Sequence, residues 1–260
     1  MSLCSMPLLP FPFLPGFPLV MACHLTGIYD VNRSNILPDD DFLLVQAWAA
    51  SLKAQQVNGI IFHNNFSAIT CAKHQHKWLQ FIRVEQDVAF NPNVFRYIIY
   101  REFLRQHASK ITGLFATDVS DVVMAINPFI QPLFMNNTDR LFCGDEPKQL
   151  HNEWMINHAA HLRQGIADYA AYEVNFKNSA LLNCGIIGGN SLLVQTFIEQ
   201  LSTIHEQYNR NNNSAYTGDM GAFNYLARTR FNNYLIHGYP INTVFKNYEN
   251  ERSDCWFIHK

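Results

Sequence analysis

Four short stretches carry the residues that could do chemistry. In Leu114–Asp121 (LFATDVSD) an apolar run delivers two carboxylates, Asp118 and Asp121. Hard oxygen donors this close suit Mg²⁺ or Mn²⁺, ions that bridge the oxygens of a diphosphate. The plainer role for the same residues is to cap the segment that follows. In Asn183–Gly189 (NCGIIGG) the glycines allow close backbone approach between a strand and a helix from about Ser191. An ordinary strand-to-helix turn has the same composition. Gly218–Asn224 (GDMGAFN) sets Asp219 and small residues at the head of an apolar helix, either to cap it or to face a ligand. Trp256–Lys260 (WFIHK) ends a strand on His259 and Lys260. An imidazole can complete a divalent-cation site, and an ammonium can pair with a phosphate.

Other clusters carry less. Cys71, His74 and His76 (CAKHQH) are zinc-type ligands with no second pair nearby, so a polar surface loop is expected. His158 and His161 share a helix face near His151, but without an H-E-x-x-H pattern. There is no G-x-S-x-G elbow, no Walker loop and no G-x-G-x-x-G fingerprint. Two aspartates after a strand also open phosphohydrolases of the haloacid dehalogenase type. There they stand two apart, here three, and no later lysine-and-acid motif follows. Tyr216 or Trp154 could stack on a sugar face, but nothing in the sequence selects them.

These residues need elements to position them, and the chain alternates short apolar runs with helical patterns. Leu25–Tyr29 (LTGIY) reads as a first strand ending in Asp30, and Asp41–Gln55 as a helix with Phe42, Val45, Trp48, Ala49 and Leu52 on one face. Val57–His63 and Trp78–Val84 read as strands. Asn93–His107 reads as a helix, because Pro92 sits where a missing N–H costs little. Ile111–Thr117 is a fourth strand, and Asp139–Cys143 and Ser179–Cys184 are further candidates. Helices follow over about 150–164, 191–208 and 219–228, with a polar loop at Asn209–Ser214 between the last two. Tyr234–Gly238, Thr243–Phe245 and Trp256–His259 read as short strands. Such alternation indicates an α/β fold with a mostly parallel sheet, whose ligands bind beyond the carboxyl ends of the strands.

The composition limits the partners. Of 260 residues, 48% are apolar and only 15% charged, which excludes disorder for the bulk of the chain. Nineteen basic against 21 acidic residues leave a net charge of −2 and no basic surplus for a nucleic-acid backbone. Cys4, Cys23, Cys71, Cys143, Cys184 and Cys255 are scattered without a C-x-x-C pair, as expected for reduced thiols of a cytoplasmic protein. Residues 1–21 are apolar and rich in proline, with no basic n-region and no uninterrupted helical stretch. They are expected to be a poorly ordered leader, with peripheral membrane association as the alternative, and one domain is expected over 22–260.

The order of the four stretches resembles the GT-A class of nucleotide-sugar glycosyltransferases, and most of all glycosyltransferase family 8 with its bacterial and plant relatives. That family has a strand-borne D-x-D, a later N-x-G turn, a D-Q-x-x-x-N helix start and a C-terminal metal histidine near a lysine. Here the acidic motif is one residue longer, Asp118-Val119-Ser120-Asp121, and Met220 replaces the glutamine. The resemblance implies a single GT-A, Rossmann-like domain that binds a nucleotide diphosphate sugar, a UDP-sugar above all, with Mn²⁺ or Mg²⁺. It implies Asp121 and His259 as metal ligands, Asp118 as a ligand of the metal or of the ribose, and Lys260 as the cation at the leaving diphosphate. Thr26, Gly27, Tyr29 and Asp30 would flank the base, and Arg96 would approach the nucleotide or orient the acidic motif. Asn183, Gly185 and Gly189 would shape the sugar and acceptor pocket, and Asp219 would hold the donor sugar or act in catalysis. The acceptor, whether glycan, lipid or protein, is not implied. The alternatives are a metal-dependent phosphohydrolase or nucleotidyltransferase on the same aspartates, and a non-catalytic sugar-nucleotide binding protein.

Overall fold

The structure is a computed structural model that describes residues 8–27, 29–30, 35–211 and 218–260, the side chain of Asp30 excepted. Residues 1–7 with Cys4, Ile28 of the expected first strand, residues 212–214 of the expected polar loop, and Tyr216 lie outside the described residues.

Eleven strands and nine α-helices alternate along the described residues. They are β1 (Phe17–His24), β2 (Tyr29–Asp30), β3 (Asn35–Ile36), α1 (Leu43–Gln55), β4 (Asn58–His63), α2 (Ala68–His74), β5 (Leu79–Arg83) and α3 (Pro92–His107). Then come β6 (Ile111–Thr117), β7 (Val122–Met124), α4 (Pro132–Met135), β8 (Leu141–Gln149), α5 (Glu153–His158), α6 (Ala160–Gly165) and α7 (Tyr169–Phe176). The rest are β9 (Ala180–Asn190), α8 (Ser191–Tyr208), α9 (Asp219–Arg230), β10 (Leu235–His237) and β11 (Phe257–His259). A seven-stranded sheet runs in the order β10-β8-β9-β6-β1-β4-β5. Only β9 is antiparallel to its neighbours. The α/β class and the mostly parallel sheet flanked by helices are as the alternation implied.

Strand periodicity divides the core in two. Leu19 and Met21 of β1, Ile60 and Phe62 of β4, and Leu114 and Ala116 of β6 face one cluster, packed by α3, α8 and α9. Val20 and Ala22, Ile61, and Phe115 point the other way, onto Val45, Trp48 and Leu52 of α1 and onto Trp256 and Phe257. Strands buried on both faces have no polar side to display, which is why so few charges are needed. Among the described residues no helix is long and apolar enough to cross a membrane.

The first strand is a correction. It is Phe17–His24, not Leu25–Tyr29, and it lies between β4 and β6 in mid-sheet. The expected leader therefore supplies a central strand. Pro18, read as a breaker, sits near the strand's start, where the ladder to β6 shifts register between Phe17 and Leu19. Leu9 is also buried, its amide donating to Gln106 Oε1 at 3.0 Å and its carbonyl lying 2.6 Å from His107 Nε2. Three further boundaries differ. The helix expected over 150–164 breaks into α5 and α6, and α7 follows it. Residues 68–74, expected as part of a loop, form α2 behind the N-cap Ser67. Thr243–Phe245 is not a strand, though neighbouring Asn242 bridges to Phe257.

Candidate active site

Strand order reverses at β1: the chain steps outward through β4 to β5 on one side, and β6 lies on the other. Ligands in open α/β sheets sit beyond the carboxyl ends at such a switch point. Leu25–Gly27 leave β1 there, and Asp118 follows β6 directly.

The Asp118 amide donates to Gly185 O at 2.8 Å, one step beyond the β6–β9 ladder. Its carboxylate accepts from Arg96 Nη1. Just after Asp121, β7 pairs antiparallel with β11, so that Val122 stands opposite His259, and the Lys260 amide donates to Asp121 O at 2.9 Å. This two-stranded ribbon carries the last residues to the aspartates. Asp118, Asp121 and His259 each offer a ligand atom within 4.8 Å of the others, and His259 Nε2 is 4.0 Å from Asp121 Oδ2. A cation about 2.1 Å from three ligands holds them roughly 3.0–3.6 Å apart, so a closure of about 1–2 Å would bring all three onto one ion.

His259 suits that role. It is 1% exposed, its amide donates to Thr243 Oγ1 at 2.9 Å, and its ring packs 4.6 Å from Phe245. Nδ1 is buried with no hydrogen-bond partner. Burial pushes the pKa down to about 4, with Asp118 opposing the shift and Arg96 adding to it. At neutral pH the imidazole is therefore neutral, the form that ligates metal.

Arg96 links this cluster to a second carboxylate. Asn91 caps α3, Pro92 opens it, and Arg96 in its second turn is almost fully buried. One of its amino groups is 3.7 Å from Asp219 Oδ2, 3.2 Å from Tyr97 OH and 3.4 Å from Cys184 Sγ. Burial opposes its charge, but Asp118 foremost, then Tyr97, Cys184 and Asp219, raise its pKa well above the ordinary value. Asp219 opens α9 and lies 3.3 Å from His158 Nε2. Burial pushes the Cys184 thiol up, so it stays protonated and unreactive.

The glycine stretch is not a turn but the body of β9. Asn183 Oδ1 accepts from the Gly185 amide at 2.7 Å, and Asn183 Nδ2 donates to Glu146 Oε1 at 2.9 Å. A Cβ at Gly185 would stand 2.6 Å from Asp118 Oδ2, so glycine lets this strand pass the carboxylate. Gly189 is a correction. It pairs with Leu114 and Leu141 at the far end of the strand, four residues and about 13 Å from Gly185. Its φ of +149° and the Arg140 carbonyl, 2.6 Å from where a Cβ would lie, make it structural.

Thr26 and Gly27 do lie at the switch point. Thr26 is buried: its amide donates to Asn64 Oδ1 at 3.0 Å and its hydroxyl to Asp39 Oδ1 at 2.9 Å. Gly27 takes φ +77°, and a Cβ there would press on Asn65 and Asp39. Tyr29 is exposed in the short β2–β3 pair. Lys260 is half-buried. Tyr97, Cys184, Glu146, Asp39, Asn64 and Asn65 were not foreseen, and His158 was read only as part of a histidine-bearing helix face, whereas it is buried against Asp219. Asn64 and Asn65 had a signal, a polar pair immediately after an apolar strand, the same reasoning that picks out Asp118. No family model matches the chain, and no curated protein matches it closely enough to count as a relative.

Proposed function

We propose that the protein is a metal-dependent glycosyltransferase that moves a sugar from a nucleotide diphosphate sugar, a UDP-sugar by preference, to an acceptor with retention of anomeric configuration. One observation carries the reading. Asp118, Asp121 and a neutral, buried His259 converge from two distant parts of the chain at the switch point of an open α/β sheet. Two carboxylates and an imidazole suit Mn²⁺ or Mg²⁺. Such an ion, when bound, offsets the charge that builds on a leaving diphosphate. Arg96 holds Asp118 in place and shares its charge with Asp219. Asp219, buried beside Arg96 and His158, is the residue we assign to the donor sugar. Lys260, next to His259, would meet the diphosphate. The five described cysteines are free thiols, in keeping with the reducing, cytoplasmic setting that belongs to this proposal.

The test is a thermal-shift panel of nucleoside diphosphates with and without Mn²⁺. A ligand that binds only the folded state raises the melting temperature by mass action. UDP with Mn²⁺ is expected to raise it in the wild type and not in Asp121→Ala or His259→Ala, which should also lose Mn²⁺-dependent donor hydrolysis. No shift with any nucleotide overturns the reading. Release of phosphate from simple phosphomonoesters without a sugar donor would replace it with phosphohydrolysis.

A further inference from the structure

We propose that Trp154 is a stacking platform for the acceptor and that the acceptor is therefore a saccharide, an inference that rests on the transfer reading above. Beyond the carboxyl edge of the sheet, β8 and β9 run on together, pairing Asp145 with Leu182 and Gln149 with Ala180. The chain between them, 150–179, forms α5, α6 and α7, a cap seated on α9. The seat is close: a Cβ on Gly221 of α9 would stand 2.9 Å from Leu162 and 3.2 Å from Ala159. Asp219 opens that same helix.

α5 presents two rings one turn apart. His158 is 3% exposed and reaches Asp219 Oδ1 at 3.3 Å. Trp154 stacks on the His158 imidazole, centroids 4.4 Å apart and planes 27° from parallel, yet the residue is 42% exposed. One face of the indole is thus backed by a ring that lies against Asp219, and a large part of the residue is left in water. Holding so large an apolar surface in water forgoes the free energy of burying it. A partly exposed aromatic whose ring is held in place by stacking is preorganised for a flat partner. Exposed His151, Glu153 and Asn157 flank it on the same short segment, offering an imidazole, a carboxylate and an amide.

A pyranose has the matching surface: an apolar face of C–H groups for the indole and a rim of hydroxyls for the polar neighbours. Recognition by a few placed polar groups around an apolar floor is the usual form of such sites. The contacts run from Trp154 through His158, Asp219 and Arg96 to Asp118. A sugar on the indole would therefore sit on the cap that carries its backing ring to Asp219.

The experiment uses the full chain and reads tryptophan emission during titration with a panel of α- and β-linked gluco-, galacto-, manno- and xylo-oligosaccharides, with UDP and Mn²⁺ present. At least one saccharide is expected to change the emission saturably. In Trp154→Ala that change should vanish, and binding of the same saccharide followed by calorimetry should weaken about tenfold or more. Trp154→Phe should recover part of the affinity. Trp154→Ala should lose some stability with the stack but keep the wild-type far-UV circular dichroism and a cooperative transition, which separates lost binding from lost fold. No response to any saccharide, or equal affinity in Trp154→Ala, overturns the platform. If that occurs while UDP and Mn²⁺ still raise the melting temperature, the transfer reading stands and only the acceptor class fails. A saccharide response without any nucleotide shift overturns the transfer reading and this acceptor role with it.

Discussion

Replacing Arg96 by Met removes a guanidinium that touches both Asp118 and Asp219. Met has similar length and keeps the apolar packing of the stem, so the change is mainly one of charge. Arg96 Nη2 is 3.7 Å from Asp219 Oδ2, and at an effective dielectric of 20 one such pair is worth about 4 kcal/mol of Coulomb attraction. Much of that gain offsets the cost of taking the charges out of water. Deleting one partner of a buried pair leaves that cost in place, and typically destabilises by about 3–5 kcal/mol. Against a usual total of roughly 5–15 kcal/mol, this is a large share of the protein's stability. Urea unfolding followed by far-UV circular dichroism should show the loss as a lower midpoint at unchanged slope. Mn²⁺ should raise the melting temperature more in the variant than in the wild type, since the ion would replace the missing positive charge. A loss below about 1 kcal/mol would refute the view that Arg96 neutralises these two carboxylates.

Two further outcomes are expected. Gly185→Ala puts a methyl group 2.6 Å from Asp118 Oδ2, so the carboxylate must move; Mn²⁺ affinity by calorimetry should fall about 10- to 100-fold, as when the support of a ligand is altered, and unchanged affinity would remove Asp118 from the ligand set. His205 is fully buried, and burial holds its pKa down to about 3. A histidine depressed in this way contributes full stability above the unfolded pKa of about 6.5 and loses it as the pH falls toward the folded value. Between pH 6.5 and 5 that amounts to about 2 kcal/mol. His205→Gln, measured by urea unfolding across that range, should flatten the decline; an equal slope in wild type and variant would contradict it.

Much of the architecture was legible because its signals are local. The apolar runs at β4, β5 and β6 and the 3.6-residue spacing in α1, α3 and α8 mark elements that the structure places within a few residues of expectation. β1 was missed for a physical reason. A central parallel strand is apolar on both faces, and Phe17–His24 has the composition of the apolar segment before it. The three candidate metal ligands were legible as types at strand ends. Their convergence depends on the pairing of β7 with β11, two three-residue strands more than 130 positions apart, which no local pattern specifies. The Gly189 assignment failed because glycine serves equally in a ligand turn and in a strand crossed by a carbonyl. Neither His158 nor Cys184 could be tied to Asp219 from the sequence, because those contacts arise from the packing of the 150–179 cap and of β9 on α9.

The antiparallel placement of β9 has a consequence for how the chain acquires its fold. β4, β1 and β6 can pair among themselves using residues 17–117 alone. β8 has no such option, because both of its neighbours, β9 and β10, come later in sequence. Until residues 180–190 slot in between β6 and β8, one edge of β6 and both edges of β8 are left without their strand partners. Loop-closure entropy makes such long-range pairing slow, and open apolar edges are the surfaces through which partly folded chains associate. β10 closes one edge of β8, and insertion of β9 thus closes the other together with the open edge of β6. The same event brings Gly185 alongside Asp118.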